Sequence, residues 1–294
     1  MTTNTRSLAT NDWLHSASQQ LEQSGISTAR LDCLVLLTDV VKKNKSFILA
    51  HPEFPLSFLQ VKQLGKKIER RKNHEPLAYI RGKSEFYGRE FIVNKHTLQP
   101  RPETETMLDL FSKIYKSQKL PSVEDSLATE RGNVILGVVD VGTGSGAIGI
   151  SIKLELPEVE VLATDISNNC LTVAKQNSGF MNADIKFYQG DLLEPIYGVK
   201  NFLPNAILAN LPYVPDGHTI NQAAMQEPEL AIFGGHDGLN LYRRLFAQIS
   251  EYKLNAKYVF TESLPFQHEE LAKIAKAHGF RLEKTDDFIQ VFSR

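Results

Sequence analysis

The sequence predicts an α/β chain: a mixed, mostly parallel sheet covered on both faces, preceded by a small N-terminal helical bundle and a β-hairpin connector. Three observations carry this. Apolar residues step by threes and fours through residues 10–72, short β-branched runs alternate with helical stretches after residue 133, and a glycine-rich turn closes the first of those runs. At 294 residues the chain is long enough for two domains, each with its own core.

Within residues 10–72, Leu31, Leu34, Val35 and Val41, then Leu59, Leu64 and Ile68, fall at helical spacing. Ser24-Gly25 and the stretch from Pro52 to Pro55 mark turns, and no strand-like alternation appears. From Pro76 the pattern changes. Tyr79, Ile80, Phe86, Tyr87, Phe91, Ile92 and Val93, broken by Gly82 and Gly88, predict an extended hairpin over 76–99. A helix is predicted over 103–117, with Met107, Leu108, Phe111, Ile114 and Tyr115 on one face and Pro100 and Pro102 just before it. Residues 118–133 read as a surface loop. Strands are predicted at 134–140, 160–164, 185–189, 206–210 and 258–262, and the runs 280–284 and 288–292 as an antiparallel hairpin on the sheet edge. The expected division is a helical domain at 1–75, a hairpin and helix connector at 76–132, and the sheet domain at 133–294.

Thirty-three basic and 34 acidic residues leave a net charge of −1, which argues against a chain held on nucleic acid by bulk charge. The total is a cancellation: residues 1–132 carry 20 basic and 15 acidic side chains, or +5, and residues 133–294 carry 13 and 19, or −6. The split makes the helical domain the candidate docking face for a protein partner. Cys33 and Cys170 lie far apart without metal-ligand spacing, so neither a disulfide framework nor a zinc site is expected, and His218 and His236 suggest no metal either. Residues 1–14 lack an apolar core of signal-peptide length, and the most hydrophobic stretch, 33–41, is interrupted by Thr38 and Asp39. A soluble, cytoplasmic chain with no membrane partner is expected.

The first strand of the sheet domain runs into Asp140-Val141-Gly142-Thr143-Gly144-Ser145-Gly146-Ala147-Ile148-Gly149. Glycines at alternate positions let the chain turn tightly and bring its backbone against a ligand, with a helix N-terminus behind. Gly144, Gly146 and Gly149 have the spacing of a dinucleotide fingerprint. Gly142, Gly144 and Gly146 instead form a Gly-x-Gly-x-Gly loop that resembles the one in S-adenosylmethionine-dependent methyltransferases. In both readings Asp165, after the next strand, accepts two hydrogen bonds from a ribose diol; a bare strand-to-helix turn would use the same glycines. Gly190-Asp191-Leu192 follows the third strand, where an acidic residue and an apolar neighbour meet an adenine edge or, equally, cap a helix.

The fourth strand runs into Asn210-Leu211-Pro212-Tyr213-Val214-Pro215. This resembles the Asn-Pro-Pro-Tyr-type tetrad of methyltransferases that modify planar amide or amino nitrogens, with Leu211 in place of the first proline. In that group the Asn side-chain oxygen and the next carbonyl accept hydrogen bonds from the target NH₂, and the ring stacks on its plane. Nicotinamide dehydrogenases have no such tetrad. The resemblance implies Asn210, Pro212 and Tyr213 as catalytic residues and Asn210, Leu211, Pro212 and Tyr213 as the substrate-binding set. It implies Gly142, Thr143, Gly144, Ser145, Gly146, Asp165, Asp191, Leu192 and Asn210 around S-adenosylmethionine.

Asn-Leu-Pro-Tyr is also similar to the ribosomal RNA adenine dimethyltransferases, but those carry their helical domain after the catalytic one. Other segments point elsewhere: Glu75-Pro76-Leu77-Ala78-Tyr79-Ile80-Arg81-Gly82, Glu85-Phe86-Tyr87-Gly88, Pro100-Arg101-Pro102-Glu103-Thr104-Glu105, Glu227-Pro228-Glu229-Leu230-Ala231 and Gly234-Gly235-His236-Asp237-Gly238-Leu239. Together they resemble the HemK/PrmC family, the release factor glutamine methyltransferases, as far as about Phe246. That resemblance implies a Rossmann-like class I S-adenosylmethionine-dependent methyltransferase domain. The implied reaction is methyl transfer to the side-chain amide nitrogen of the glutamine in the Gly-Gly-Gln motif of class I peptide chain release factors. Glutamine of a ribosomal protein and, further off, adenine in nucleic acid are the alternative substrates.

Beyond Phe246 the match thins. Where the family has an apolar strand ending in Glu-Ile-Gly, this chain has Phe260-Thr261-Glu262-Ser263-Leu264-Pro265. Two charged groups read in two ways. Arg101 with Glu103 to Glu105 either closes over the cofactor or opens a helix with an acidic first turn. The run Lys62, Lys66, Lys67, Arg70, Arg71 and Lys72 either meets the protein substrate or is a solvated helix face.

Overall fold

A computed structural model describes residues 7–117, 135–200 and 202–294. The predicted loop at 118–133 and the first residue of the strand expected at 134–140 lie outside the described residues. The chain divides into two compact units, Met1–Gly82 with Asn221–Gln226, and Lys83–Ile220 with Glu227–Arg294.

The first unit is a bundle of α1 (Thr10–Gln23), α2 (Ala29–Val41), α3 (Lys45–Ala50), α4 (Phe58–Lys72) and α5 (Leu77–Arg81). Trp13, Leu21, Leu36, Leu37, Leu64 and Ile68 form its core, and Ser57 with Gln60 closes a reciprocal capping box at the start of α4. Two details depart from the periodicity. Leu8–Ala9 (β1) pairs antiparallel with Pro55–Leu56 (β2), a ladder too short to show alternation. Residues 77–81, expected to be extended, form a short helix that ends at Gly82 with φ +77° and buries Ile80 in the bundle core. Five residues are too few to display a helical period.

The basic run on α4 is mostly committed inside the unit. Buried Arg71 pairs with Asp32 at 2.7 Å, Arg70 with Glu75 at 2.5 Å and Lys72 with Glu69 at 3.0 Å, while Lys67 donates to the Ile80 carbonyl at 2.8 Å. Among the described residues only Lys62 and Lys66 of that run make no such bond. Only Arg71 of the run is buried and Lys62, Lys66 and Arg70 are exposed, so the run is a largely solvated helix face tied down at its C-terminal end.

The second unit opens with a hairpin, β3 (Lys83–Phe86) and β4 (Arg89–Ile92). Its two turn residues, Tyr87 and Gly88, both have positive φ (49° and 70°), the backbone that matches the twist of a two-residue hairpin. A 3₁₀ turn (Pro102–Thr104) leads into α6 (Glu105–Lys116). Then follow β5 (Ile135–Val141), α7 (Ala147–Glu155), β6 (Glu160–Asp165), α8 (Asn168–Met181), β7 (Lys186–Gln189) and β8 (Phe202–Ala209). The chain finishes with α9 (Asn240–Glu251), β9 (Tyr258–Glu262), α10 (His268–Ala277), β10 (Arg281–Asp286) and β11 (Ile289–Ser293).

The seven strands lie in the order β10-β11-β9-β8-β5-β6-β7; β7 through β9 are parallel, and β11 runs antiparallel to both neighbours. The mixed sheet and its edge hairpin are thus as predicted. Strand β8 begins at Phe202, four residues before the predicted 206, because Pro204 disguises it. The ladder accommodates that proline at a register shift, where Gly137 faces Pro204 and Val138 faces Ala206.

Alternation along the strands sorts the core. Val138, Leu208, Phe260 and Val291 pack with Phe86 and Phe91 of the hairpin, Phe111 of α6 and Ile150 of α7. Val139, Ile207, Val259 and Phe292 point to the opposite face, under Tyr242, Leu245 and Phe246 of α9 and Leu271 of α10. The strand order reverses between β5 and β8, so their carboxyl ends flank the crevice where open parallel sheets bind ligands. Among the described residues no helix is long and apolar enough to cross a membrane.

Candidate active site

The glycine loop stands at the carboxyl end of β5. Gly142, Gly144 and Gly146 have φ of +71°, +56° and +84°, the left-handed region that favours glycine. The N–H groups of Gly142 and Thr143 both donate to the Thr164 carbonyl at 2.9 Å, tying the loop to β6. A Cβ on Gly146 would lie 2.7 Å from Ile150 Cδ1, whereas one on Gly144 would meet nothing nearer than 4.0 Å. The cradle is closed behind and open at Gly144.

Two buried side chains hold the loop. Asp140 Oδ2 accepts from the Thr143 hydroxyl at 2.6 Å and the Gly149 N–H at 2.9 Å, and burial pushes its carboxyl up to about 6. Asn177 of α8 donates to the carbonyls of Ser145 (2.8 Å) and Ile92 (3.0 Å) and accepts the Ile92 N–H at 2.7 Å. Nothing in the sequence around Asn177 marks it, since its partners lie far away along the chain.

Asp165 ends β6 with one oxygen accepting the Gly144 N–H (2.9 Å) and the other the Ser167 N–H (2.8 Å). Burial pushes its carboxyl above the usual carboxylate range, against those two bonds. The Cys170 thiol also lies beside the carboxyl and favours its charged form, and a carboxylate has up to four acceptor sites in all. Asp165 also receives the Gly190 N–H on its backbone carbonyl at 3.1 Å, joining the next strand end to the site. There Asp191 is ion-paired with Arg244 of α9, and Gln248 bridges the Asp191 carbonyl and the Leu193 N–H. Leu192 adopts φ +51° and is buried in the core under α9, so the exposed apolar side chain near these strand ends is Ile166, 65% exposed. Sequence reasoning missed Ile166; its signal was an apolar residue directly after the carboxylate that ends β6.

The tetrad leaves β8 on the other side of the crevice. Asn210 Nδ2 donates to Thr104 Oγ1 at 3.0 Å, while neither Asn210 Oδ1 nor the Leu211 carbonyl accepts a hydrogen bond among the described residues. The Leu211 N–H donates to the Tyr242 hydroxyl at 3.3 Å, a bond proline would lack. The buried Leu211 side chain reaches the loop: a Cβ on Gly142 would stand 2.9 Å from Leu211 Cδ2. The Tyr213 hydroxyl donates to Glu262 Oε1 at 3.0 Å, and Gln267 Nε2 donates to the carbonyls of Tyr213 (2.8 Å) and Asp237 (2.7 Å). Gly234 and Gly238 seat this segment, because Cβ atoms there would lie 2.3 Å from the Pro212 oxygen and 2.0 Å from the Tyr213 oxygen.

The structure therefore brings Gly142 to Gly146, Asp165 and Asn210 to Tyr213 to adjoining strand ends, with Asp191 and Leu192 at the next strand out. It adds Thr104, Tyr242, Glu262 and Gln267, of which Thr104 lies in the Pro100–Glu105 segment and Glu262 stands where the family has Glu-Ile-Gly, while Tyr242 and Gln267 had no signal. Glu262 is 1% exposed, and burial pushes its carboxyl up to about 7. Glu105 spends its carboxylate on the Tyr87 N–H (2.8 Å), and Arg101 pairs with buried Glu227 at 2.5 Å. Among the described residues no group of three or more His, Cys, Asp or Glu is placed to hold a metal ion.

Comparison with known proteins agrees with this geometry. Residues 12–82 match the PrmC N-terminal domain and residues 126–227 the methyltransferase small domain. The chain is 34% identical to the release factor glutamine methyltransferase of Coxiella burnetii, over 92% of this chain and 90% of that protein. It is 36% identical to the one from Bacillus subtilis, over 79% and 77% respectively. It is also 32% identical to a bifunctional methyltransferase of Rickettsia bellii over 96% of its own length, but spans only 53% of that protein, about half the length of these bifunctional relatives. A glycine loop, a strand-end carboxylate and an Asn-x-Pro-Tyr tetrad on a class I methyltransferase sheet fit those matches, and the chain belongs to the release factor glutamine methyltransferase family.

Proposed function

We propose that the chain transfers the methyl group of S-adenosylmethionine to the side-chain amide nitrogen of the glutamine in the Gly-Gly-Gln motif of class I release factors. The observation that carries this is the state of the tetrad: Asn210 spends its NH₂ on Thr104, which leaves Asn210 Oδ1 and the Leu211 carbonyl as two acceptors for the two N–H donors of an amide. Leu in place of proline does not disturb this role, because the acceptor is backbone.

A glutamine nitrogen is a poor nucleophile because its lone pair is delocalised into the carbonyl. The site therefore contributes geometry more than basicity, and positioning of this kind is worth roughly 7–11 kcal/mol of barrier against about 1 kcal/mol for one hydrogen bond. Pro212 stiffens the turn, and Tyr213 packs its ring on the amide plane. The two acceptors favour the positive charge that builds on nitrogen during transfer. S-adenosylmethionine, when bound, supplies an electrophilic methyl on a sulfonium sulfur. Gly142, Thr143, Gly144, Ser145 and Gly146 hold its methionine and ribose portion at the open side of the cradle, and Asp165 takes the ribose hydroxyls. Asp191 meets the adenine edge, with exposed Ile166, in place of the buried Leu192 side chain, as the apolar surface beside it. The near-zero net charge supports a protein over a nucleic acid substrate.

The test is to incubate the protein and methyl-labelled S-adenosylmethionine separately with a class I release factor, ribosomal subunits and RNA, and to locate the label. Label on the Gly-Gly-Gln glutamine is expected. Label confined to a ribosomal protein or to RNA would overturn the reading.

A further inference from the structure

An Asn side chain has nearly the same shape either way round but opposite polarity, so a half-turn of Asn210 would present NH₂ to a substrate NH₂. Thr104 alone does not choose between the two, because its hydroxyl donates as readily as it accepts. Behind Thr104 and Asn210 stands Glu262, at the carboxyl end of β9 and almost fully buried. Its backbone carbonyl is anchored by the Tyr242 hydroxyl at 2.5 Å, and its Oε1 holds the Tyr213 hydroxyl at 3.0 Å. Its Oε2 is buried without a hydrogen bond of ordinary geometry, while Thr104 and Asn210 lie beside the carboxyl and favour its charged form.

We propose that Glu262 is the positioning residue of the tetrad, the acceptor-only group that fixes which way round the Asn210 amide stands and where the Tyr213 ring lies. This rests on the tetrad being the amide-holding site proposed above. An ionised carboxylate at this place accepts and never donates. It draws the Thr104 hydroxyl hydrogen to itself, so the Thr104 oxygen is left to accept from Asn210 Nδ2, and Oδ1 is left for the substrate. The same carboxylate pins the Tyr213 hydroxyl. A side chain needed only to fill space would not keep a buried carboxyl here, since burying one is costly unless it is partnered.

Protonation would erase the polarity. The groups around Glu262 are Glu103 from the turn that carries Thr104, Tyr213, Tyr242 of α9, Arg101 with its partner Glu227, and His268, which is bonded to the Ser263 carbonyl. Burial and the Glu103 charge raise Glu262, and Thr104, Tyr213 and Asn210 lower it, with about 7 as the outcome. Turnover should therefore fall as pH drops below about 7.

The experiment measures kcat and KM across pH 5.5 to 9 for the wild type, Glu262→Gln, Thr104→Val and Thr104→Ser, with S-adenosylmethionine affinity by calorimetry and thermal melts for each. It uses whichever of release factor, ribosomal subunits and RNA the wild type labels, so a wrong substrate assignment shows itself separately. Glu262→Gln is expected to lower kcat roughly tenfold to hundredfold and to lose the acid limb, with cofactor Kd within about twofold. Thr104→Ser, which keeps the hydroxyl, should recover most of what Thr104→Val loses; this pair carries the test if Glu262→Gln does not fold. Wild-type kcat and an intact acid limb in Glu262→Gln would overturn the proposal. So would a kcat loss that only parallels lost cofactor binding and a lowered melting temperature, or equal activity of the two Thr104 variants.

Discussion

At Asn210 one amide serves two directions, donating to Thr104 and leaving its oxygen as an acceptor. Removing it should cost catalysis before binding: Asn210→Ala is expected to lose turnover on a release factor by roughly a hundredfold or more, with cofactor affinity by calorimetry little changed. Turnover equal to wild type would remove Asn210 from the reaction. Asp165→Ala should do the reverse first, raising the S-adenosylmethionine Kd by about tenfold or more as two ribose hydrogen bonds disappear. An unaltered Kd would take Asp165 out of the cofactor site. Both residues were legible because short motifs carry them. The contacts of Thr104 and Asn177 were not, since each matters through a partner far along the chain, 106 residues away for Thr104 and Asn210 and 85 for Asn177 and Ile92.

Among the elements, the tetrad is a segment seated on another segment. Gly238 sits at φ +78° with no room for a Cβ against the Tyr213 carbonyl and the Gln267 amide. Gly238→Ala is expected to destabilise the protein by more than about 1–3 kcal/mol of backbone strain and to cut activity, read by denaturant unfolding and kcat. Gly65 of α4, with nothing within 4 Å of a new Cβ, is the contrast: Gly65→Ala should stabilise by about 0.4–1 kcal/mol in the same measurement. The bundle has its own vulnerable point. Asp32→Asn leaves Arg71 charged and buried, and should cost about 3–5 kcal/mol in unfolding free energy, whereas an unchanged denaturation midpoint would mean the pair contributes nothing. Periodicity found the long elements and the sheet's edge hairpin. It missed what is short or interrupted: α5 has five residues, and Pro204 hid the start of β8.

For the whole molecule, the two buried carboxyls set a pH dependence. Asp140 rises from 3.8 to about 6 and Glu262 from 4.5 to about 7. The folded state then holds these protons more tightly than the unfolded chain. Their stabilisation is complete below about pH 4 and is lost as pH rises toward about 7, at up to roughly 3 kcal/mol for each group. Asp237, held down at about 2 by Arg243, acts in the opposite sense and withdraws its support as pH falls below about 4. Urea unfolding at pH 4.5 and 7.5 should therefore show less stability from the first two groups at the higher pH, and Asp140→Asn should flatten the difference. A wild-type slope retained in Asp140→Asn would exclude that residue as its source. The fold class was legible at this scale from alternation and the glycine loop, while the total charge concealed the basic and acidic halves, and Arg70, Arg71 and Lys72 of the basic run on α4 proved to be in ion pairs within their own unit.

Leu211 ties two parts of the site together. Its N–H bonds Tyr242, and the tip of its side chain would stand 2.9 Å from a Cβ at position 142, where φ of +71° already favours glycine. Leu211→Pro would strip Tyr242 of that donor while relaxing the contact with Gly142. The glycine loop and the tetrad are therefore yoked through one leucine. Substitutions at 142 and 211 should be non-additive in a double-mutant cycle, where a tetrad independent of the loop would give additive effects.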